Sequence, residues 1–255
     1  MERLAETPEL LDGPLADQAT LAGNLRDLRR VNRFLGGTAL TRRALDALLR
    51  AAPAATDDAA TRDALAGAAA PPDARRITLL DVGTGAADIP VALLAAWRAA
   101  GRRLEVTAID SRAEVIAAAC LGSRLADTPD LHLQVADGRA LPYADGAFDV
   151  VHASLVLHHL EPDAGVLLLR EMRRVASLGV IVNDLARGRL AWLGAWLLAH
   201  LATGNAYTRH DAPLSVRRAY TAPEAIELFA RAGMRPTFES SGFLGHRWVL
   251  AARAR

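Results

Sequence analysis

The sequence predicts an α/β fold, in which a doubly wound, mainly parallel sheet follows a helical N-terminal extension. From Arg75 onward, apolar segments of strand length alternate with longer segments of helical periodicity. The strand segments are apolar throughout, which is typical of parallel strands that are buried on both faces. Hydrophobic residues make up 51% of the 255 residues, so the chain can bury a sizeable core.

Residues 1–73 are predicted to form a helical extension and a linker. Apolar residues recur at helical spacing in ADQATLAGNLRDLRRVNRFLGG, Gly36 and Gly37 end that helix, and TALTRRALDALLRAA predicts the next. The segment APAATDDAATRDALAGAAAPPDAR is rich in Ala, Pro and Asp, which predicts a linker or exposed loop. The two helices either cover the rest of the chain as a lid or pack as ordinary helices, and the sequence favours neither interpretation.

Residues 74–255 are predicted to form the α/β domain. Its strands are ITLLD, RLEVTAID, LHLQVAD, AFDVVHASLVLHH, LGVIVNDLA and a closing hairpin in MRPTFESSGFLGHRWVLAARA. Its helices are DIPVALLAAWRAAG, RAEVIAAACLGSRLAD, DAGVLLLREMRRVA and TAPEAIELFARAG. An insert at residues 187–220 comprises an apolar helix, Gly188–Thr203, and a polar loop, Asn205–Thr221.

The apolar helix of the insert contains LAWLGAWLLAHLA, which is shorter than the about 20 residues that a bilayer-spanning helix needs. Its tryptophans, Trp192 and Trp196, predict core packing first, dimer formation second and lining of a ligand pocket third. The N-terminus MERLAETPEL is polar and acidic, unlike a signal peptide. We therefore expect a cytoplasmic protein without a transmembrane segment, as a monomer or a homodimer.

Composition excludes several classes of protein. All 30 basic residues are arginine, so a Schiff-base lysine and the lysine of a phosphate-binding P-loop are absent. Cys120 is the only cysteine, which excludes a disulfide framework and a cysteine zinc site. The net charge of +1 indicates no preference for nucleic acid or for an anionic membrane.

A glycine turn follows the first predicted strand, in LLDVGTGAADIP. Gly83 and Gly85 allow a ligand to approach the backbone closely. Asp88 stands where a dinucleotide-binding fingerprint has its third glycine. With Pro90 behind it, Asp88 is predicted to cap the following helix. A carboxylate at that helix start opposes a pyrophosphate but accepts a cationic or zwitterionic ligand.

Two further acids end the next two predicted strands. Asp110 ends VTAID and can accept hydrogen bonds from both hydroxyls of a ribose. Asp137 ends LQVAD and can accept from an adenine amino group. Because the carboxyl ends of parallel strands meet at one edge of a sheet, these acids predict a nucleoside site beside the glycine turn.

Together, DVGTG, the acid of AID, ADGRALPYADGAFDVV and SLVLHHLEP resemble class I S-adenosylmethionine-dependent methyltransferases. The similarity is greatest to the bacterial small-molecule group that includes the ubiquinone and menaquinone biosynthesis enzymes, and it covers Ile77 to about Ala186. The resemblance implies a seven-stranded sheet whose last strand is antiparallel, and S-adenosylmethionine as cofactor, with S-adenosylhomocysteine as product. It implies cofactor contacts at Asp81, Gly83, Thr84, Gly85, Asp88, Asp110, Ser111, Asp137, Gly138 and Ser154. Asp81 either attracts the cofactor's cation or orders the turn.

Methyl transfer from a sulfonium has a neutral leaving group, so it requires neither a general acid nor a metal. A phenolic acceptor, with a pKa of about 10, gains from a base that takes its proton. His158 and His159 follow the fourth strand, beside the expected acceptor, and either serve the reaction or brace the loop. His210 lies in the polar loop, with Asp184 or Asp211 as a possible orienting partner.

The candidate catalytic residues are therefore His210 and His159, and the acceptor is expected near the polar loop and the two adjacent histidines. Arg209 and Arg217 can hold a carboxylate or enolate of the acceptor. The candidate acceptor-binding residues are His158, Asp184, Tyr207, Arg209 and Arg217.

The sequence thus predicts a methyltransferase for a small hydrophobic acceptor, phenolic or polyketide-like, with O-methylation favoured. The alternatives are C-methylation of a quinol-like ring and a non-catalytic partner subunit that has kept the cofactor site. No basic tail or Pro-Pro-aromatic motif after the fourth strand indicates a nucleic-acid substrate. The missing third glycine argues against a nicotinamide oxidoreductase.

Overall fold

A computed structural model describes residues 1–5, 7–15, 17–51, 75–121 and 125–255, so most of the predicted linker lies outside the described residues. Within these residues seven strands form one sheet, in the order β3-β2-β1-β4-β5-β7-β6. The strands are β1 Ile77–Val82, β2 Leu104–Asp110, β3 Leu131–Val135, β4 Phe148–Ser154, β5 Ala176–Leu185, β6 Pro236–Ser241 and β7 Arg247–Arg253.

The strand pairing confirms the predicted doubly wound sheet. Strands β1 to β5 pair in parallel, whereas β7 runs antiparallel to both β5 and β6. The strand order reverses between β1 and β4, which begin the two halves of the sheet. In open α/β sheets, ligands bind beyond the carboxyl ends of the strands at this reversal, so the glycine turn after β1 lies at the expected position.

Helices cover both faces of the sheet. One core joins β1, β4 and β5 to two helices, α5 and α8, and the opposite core joins the sheet to α2 and α3. Local signals fix several helix ends: Asp17 caps α1 by accepting from the amides of Ala19 and Thr20, and Thr221 forms a capping box with Glu224 at α8. The helices are α1 Gln18–Phe34, α2 Gly37–Ala51, α3 Asp88–Ala99, α4 Ala113–Leu121, α5 Pro162–Val175, α6 Arg189–Leu201, α7 Ala206–Arg218 and α8 Ala222–Arg231.

The N-terminal extension packs at the ligand-binding edge of the sheet. Leu21 and Leu25 of α1 form a small core with Ala86 of the glycine turn and with Val115 and Ala118 of α4. The first helix therefore lies over the segment where a cofactor is predicted.

The predicted polar loop at Asn205–Thr221 is wrong, because most of it forms helix α7. Asn205 caps this helix by accepting from the amide of Thr208, and Pro213 lies inside it. The segment lacks the apolar periodicity that identifies a helix, and an internal proline normally disfavours one.

The predicted core packing of the apolar helix is also wrong, because α6 buries only Ala199. The hydrophobicity of a segment indicates that it avoids water, but not which partner covers it. Among the described residues, no helix is long and apolar enough to cross a membrane.

Candidate active site

The glycine turn after β1 has two residues in the left-handed backbone region, which favours glycine. Gly83 and Gly85 have φ values of 68° and 53°, in the left-handed region. A Cβ on Gly83 would overlap with the side chain of Val156, which follows β4. The amide of Thr84 donates to the carbonyl of Ile109 at 2.8 Å, which ties the turn to β2.

Asp88 begins helix α3 but does not cap it, so the predicted capping role is wrong. The cap is Ala87, whose left-handed backbone (φ 51°) places Asp88 one position too late to reach the free amides. Its carboxylate instead faces Asn32 of α1, which donates to Oδ1 at 3.5 Å. Burial, with a smaller effect of the charge on Asp81, raises the pKa of Asp88 to about 6.

Asp110 ends β2 and holds the glycine turn from the other side. Its two oxygens accept from the amides of Gly85 at 3.2 Å and Arg112 at 3.1 Å. Burial raises the pKa of this carboxyl, against the effect of those two hydrogen bonds. Ser111, the next residue, is exposed. A carboxylate in this position can still accept from donors of a ligand, because each oxygen has a second lone pair.

Asp137 lies two residues beyond the end of β3. It forms a salt bridge with Arg139 at 2.9 Å, and that arginine holds the pKa of Asp137 below its usual range. The next residue is Gly138, where a Cβ would lie 2.5 Å from a methyl group of Val82 and would also press on Leu168. The backbone after β3 therefore comes close to the end of β1, within the same crevice.

The side chains of this crevice fit a polar nucleoside cofactor. The hydroxyls of Thr84 and Ser154 are buried and have no hydrogen-bond partner among the residues that the structure describes. Buried hydroxyls without partners are uncommon in native proteins and indicate groups that a ligand or ordered water satisfies. The crevice also contains the Asp110 carboxylate, which can accept further hydrogen bonds, and the glycine turn, which allows a ligand to approach the backbone. The residues present therefore suit S-adenosylmethionine, with its ribose, amino and carboxylate groups.

A buried polar chain that the sequence analysis missed fixes Asp81. His152 of β4 places Nδ1 at 2.5 Å from Oδ1 of Asp81 and Nε2 at 3.1 Å from the hydroxyl of Thr41. Asn183 of β5 donates to the same hydroxyl and to the carbonyl of Gly37. Asp81 and His152 are register partners on the neighbouring strands β1 and β4. These hydrogen-bonded side chains tie α2 to the sheet.

Arg247 is a second buried group that the sequence analysis missed. Its Nη1 donates to Asn32 at 3.0 Å, while its Nε and Nη2 have no partner among the described residues. Burial lowers the pKa of this guanidinium to about 10, against the effects of the Asp184 and Asp88 carboxylates. Gly37 makes room for it, because a Cβ there would overlap Nη1.

The 3₁₀ turn Leu157–His159 places the two adjacent histidines beyond β4. His158 is buried, with Nδ1 at 2.6 Å from Oδ1 of Asp184. The other carboxylate oxygen of Asp184, Oδ2, accepts from the backbone amide of His158 at 3.1 Å. Its Nε2 lies 3.7 Å from Oε1 of Glu9. Asp184 thus orients His158, and not His210 as the sequence analysis considered.

His159 is more accessible than His158, with 26% of its side chain exposed. Its Nδ1 lies 3.0 Å from Oδ1 of Asp12, and its ring lies 4.2 Å from that of His158. Burial lowers the pKa of His159, but the charges of Glu9 and Asp12 outweigh this effect, so the net shift is upward.

The N-terminal segment, residues 9–12, closes this cluster together with Arg218 of α7. The guanidinium of Arg218 donates to Asp12 at 2.7 Å and to the backbone carbonyl of His159 at 2.7 Å. Its Nη1 also lies 3.8 Å from Oε1 of Glu9. Glu9, Asp12 and Arg218 were not predicted as site residues, because such charges are common near any N-terminus or helix end and only the fold brings these three together.

The same cluster contains a set of possible metal ligands. Glu9, His158 and His159 each offer one ligand atom, and these atoms lie within 4.8 Å of one another. The guanidinium of Arg218 already brings a positive charge to the Glu9 carboxylate. The expectation that the protein needs no metal stays a prediction.

His210 lies on α7 with half of its side chain exposed (51%). Its Nδ1 lies 2.7 Å from Oδ1 of Asp211, although side chains of adjacent residues often do not meet. Asp211 is buried and also accepts from the amides of Leu10 and Leu11, at 2.8 and 3.1 Å. The His210–Asp211 pair therefore borders the N-terminal segment that closes the histidine cluster.

The remaining candidate residues of α7 have separate contacts. Tyr207 packs against the small core of α1, and Arg209 donates to the carbonyls of Thr203 and His200 near the end of α6. Arg217 is exposed. In the structure, the arginine that reaches the histidine cluster is Arg218, one position further along.

The central part of the chain is similar to a known protein family. The family described as "Methyltransferase domain" matches residues 79–179, which run from β1 into β5. No curated protein sequence matches the chain.

Solved structures share the fold at low sequence identity. A SAM-dependent methyltransferase from Aquifex aeolicus is 20% identical, with a TM-score of 0.52, over 70% of this chain and 82% of that one. The mitomycin 7-O-methyltransferase MmcR is 21% identical, with a TM-score of 0.53, over 69% and 48%. The CMeT domain of the citrinin polyketide synthase is 14% identical, with a TM-score of 0.54, over 71% and 47%.

Proposed function

We propose that this chain, a class I S-adenosylmethionine-dependent methyltransferase with its methyltransferase domain at residues 79–179, methylates a hydroxyl oxygen of a small hydrophobic acceptor. The observation that carries the proposal is the His159–Asp12 pair, which stands beyond β4 beside the cofactor crevice. The cofactor supplies an electrophilic methyl group that is bonded to a sulfonium sulfur, and the leaving group is a neutral thioether.

The crevice residues support a position for the cofactor. Asp110 would accept hydrogen bonds from the ribose hydroxyls, and the backbone after Asp137 would border the adenine. Gly83 and Gly85 would line the methionine part, and the hydroxyls of Thr84 and Ser154 would donate to it. Helix α1 covers this crevice, which supports a lid role for residues 1–73.

His159 acts as the general base for the acceptor. With Nδ1 hydrogen-bonded to Asp12, its Nε2 can accept the hydroxyl proton as the oxygen–methyl bond forms and the sulfur–methyl bond breaks. Asp12 orients the ring and stabilises the imidazolium that results. A His159 that is already protonated cannot serve, so the reaction accelerates as pH rises through the raised pKa of His159.

The N-terminal segment excludes water from the acceptor. It is held by Asp211, which accepts from two of its amides, and by Arg218, which donates to Asp12. Exclusion of water matters because the sulfonium would otherwise meet a competing nucleophile. His210 is the second candidate base, since Asp211 orients it in the same manner as Asp12 orients His159.

Labelled S-adenosylmethionine and a panel of phenols test the function. We expect methyl transfer to at least one phenol, with kcat reduced about 100-fold or more in His159→Gln. His132→Gln is the matched control, because His132 is an exposed histidine of β3 whose Nε2 pairs with Glu105 of the neighbouring strand β2, on the half of the sheet that does not carry the His159 turn.

Three outcomes would change the proposal. Full activity in His159→Gln with loss in His210→Gln would transfer the base role to His210. Methylation at a ring carbon of a quinol-like acceptor would establish C-methylation. Tight cofactor binding without turnover on any acceptor would favour a non-catalytic partner subunit.

A further inference from the structure

Helix α6 exposes apolar side chains around most of its circumference. Leu190 is 72% exposed and Leu201 80%, and four more apolar side chains between them are exposed as well. Only Ala199 of this helix is buried. Leaving so many large apolar groups in water is unfavourable, and contiguous patches of this kind mark interaction surfaces. The exposed residues are Leu190, Leu193, Trp196, Leu197, Leu198 and Leu201.

Two neighbouring segments extend this surface. The 3₁₀ turn Phe243–Gly245 contacts α6 and exposes Phe243 and Leu244. His246, directly after it, donates from Nε2 to the carbonyl of Leu35 at 3.1 Å, which places the exposed end of α1 beside the turn. We call α6, the turn Phe243–Gly245 and residues 34–35 the apolar face.

Arginines border the apolar face, and the segments that build it contain no acidic residue. Neither aspartate nor glutamate occurs in residues 28–45, 185–210 or 240–255. Arg33, whose guanidinium lies 5.4 Å from the Phe34 ring, is exposed, as are Arg189 at the start of α6 and Arg209 beyond its end. Asp27, which accepts a hydrogen bond from Thr203 beyond the end of α6, is largely covered.

We propose that the apolar face docks onto the surface of an anionic lipid bilayer. A helix of 13 residues is about 20 Å long, too short to span the hydrocarbon layer, but it can lie in the interface with its leucines among the acyl chains. Trp196 stacks on His200, which provides the amphipathic aromatic group typical of membrane interfaces. The rim arginines then meet lipid phosphates.

A second copy of the chain fits the apolar face less well. Pairing of two such faces would bring arginines together without any carboxylate to receive them, and like charges oppose association. An anionic bilayer covers the leucines and neutralises the arginines at the same time. The docking surface goes beyond the proposed methyl transfer, and its test requires neither cofactor nor acceptor.

Vesicle binding tests the docking surface with the protein's own tryptophans. Trp97 and Trp248 are buried, so a blue shift of emission on binding reports Trp196 and the half-buried Trp192. We expect the shift and co-sedimentation with vesicles of phosphatidylcholine and phosphatidylglycerol. Binding weakens as salt rises and is at least about tenfold weaker on phosphatidylcholine alone.

Two variants isolate the apolar and the electrostatic contributions. Leu193→Gln/Leu197→Gln changes exposed side chains, so the fold is kept, and we expect at least about tenfold weaker partitioning. Arg33→Gln/Arg189→Gln should reduce the preference for anionic vesicles. Leu167→Gln, at an exposed leucine of α5, is the matched control and should bind as the wild type does.

Two results would overturn the proposal. One is that the wild-type protein does not bind anionic vesicles, or that Leu193→Gln/Leu197→Gln binds them as tightly as the wild type does. The other is a dimer in sedimentation velocity that this double variant converts to a monomer, without vesicle binding, which would assign the apolar face to a second copy.

Discussion

Substitution of Asp88 by Asn should stabilise the free protein at neutral pH. Burial raises the pKa of this carboxyl from 3.8 to about 6, so at pH 7.5 the fold holds an ionised group that its surroundings disfavour. At 1.36 kcal/mol per pKa unit, the difference corresponds to about 3 kcal/mol as an upper value. Asn removes the charge at nearly the same volume and can keep the contact with Asn32.

The stability difference between Asp88→Asn and the wild type should depend on pH. Between pH 4 and 6 the folded protein binds a proton at Asp88 that the unfolded chain does not, so the wild type gains stability from this group as pH falls. The advantage of Asp88→Asn should therefore be greatest above pH 6 and should disappear near pH 4. Urea unfolding of both proteins at pH 7.5 and pH 4.5 measures it, because the other groups cancel in the difference.

Two results would refute this reasoning. One is an Asn variant that is no more stable than the wild type at pH 7.5. The other is an advantage that persists unchanged at pH 4.5, which would come from packing and not from charge. Because a cationic cofactor benefits from the carboxylate, Asp88→Asn should also bind S-adenosylmethionine more weakly than the wild type does, whereas its affinity for neutral nucleosides should change little.

Three further predictions concern the turn and the N-terminal segment. Gly83→Ala should destabilise the fold by about 2–5 kcal/mol in urea unfolding, because it adds a Cβ to a left-handed, crowded position. Asp211→Ala should cost about 3 kcal/mol and speed hydrogen exchange at the Leu10 amide, whereas unchanged exchange would contradict the anchoring role. The pKa of His159 is raised, so the stabilisation that its positive charge gains beside Asp12 is complete below about pH 6.5 and is lost as pH rises through the folded pKa, whereas the neutral ring can keep its hydrogen bond to Asp12. Limited proteolysis of the N-terminal segment should accordingly be faster at pH 9 than at pH 6.

The sheet was predictable from sequence because parallel strands that are buried on both faces must be apolar throughout. Asp110 ends β2 and Asp137 lies two residues beyond β3, and their place at the carboxyl edge of the sheet was predictable because each follows an apolar segment of strand length. Helix α7 was not, because its polar sequence and Pro213 mask the helical period. Asn205, which caps it, was the one local signal available.

Long-range polar contacts were beyond sequence reasoning. Arg247 contacts Asn32, 215 positions away, and no local pattern distinguishes this arginine from the 29 others. Glu9 and Asp12 similarly acquire a role only where the fold brings the N-terminus against the turn after β4. The apolar character of α6 was evident, yet its exposure depends on the absence of a neighbour within the described part of the chain.

Calorimetric titration with S-adenosylhomocysteine tests the central claim most directly. We expect one molecule to bind per chain and NADH not to bind. Asp110→Ala should bind S-adenosylhomocysteine at least about tenfold more weakly, because two charge-assisted hydrogen bonds to the ribose are lost. Binding of NADH without S-adenosylhomocysteine, or an affinity for S-adenosylhomocysteine that Asp110→Ala leaves unchanged, would contradict it.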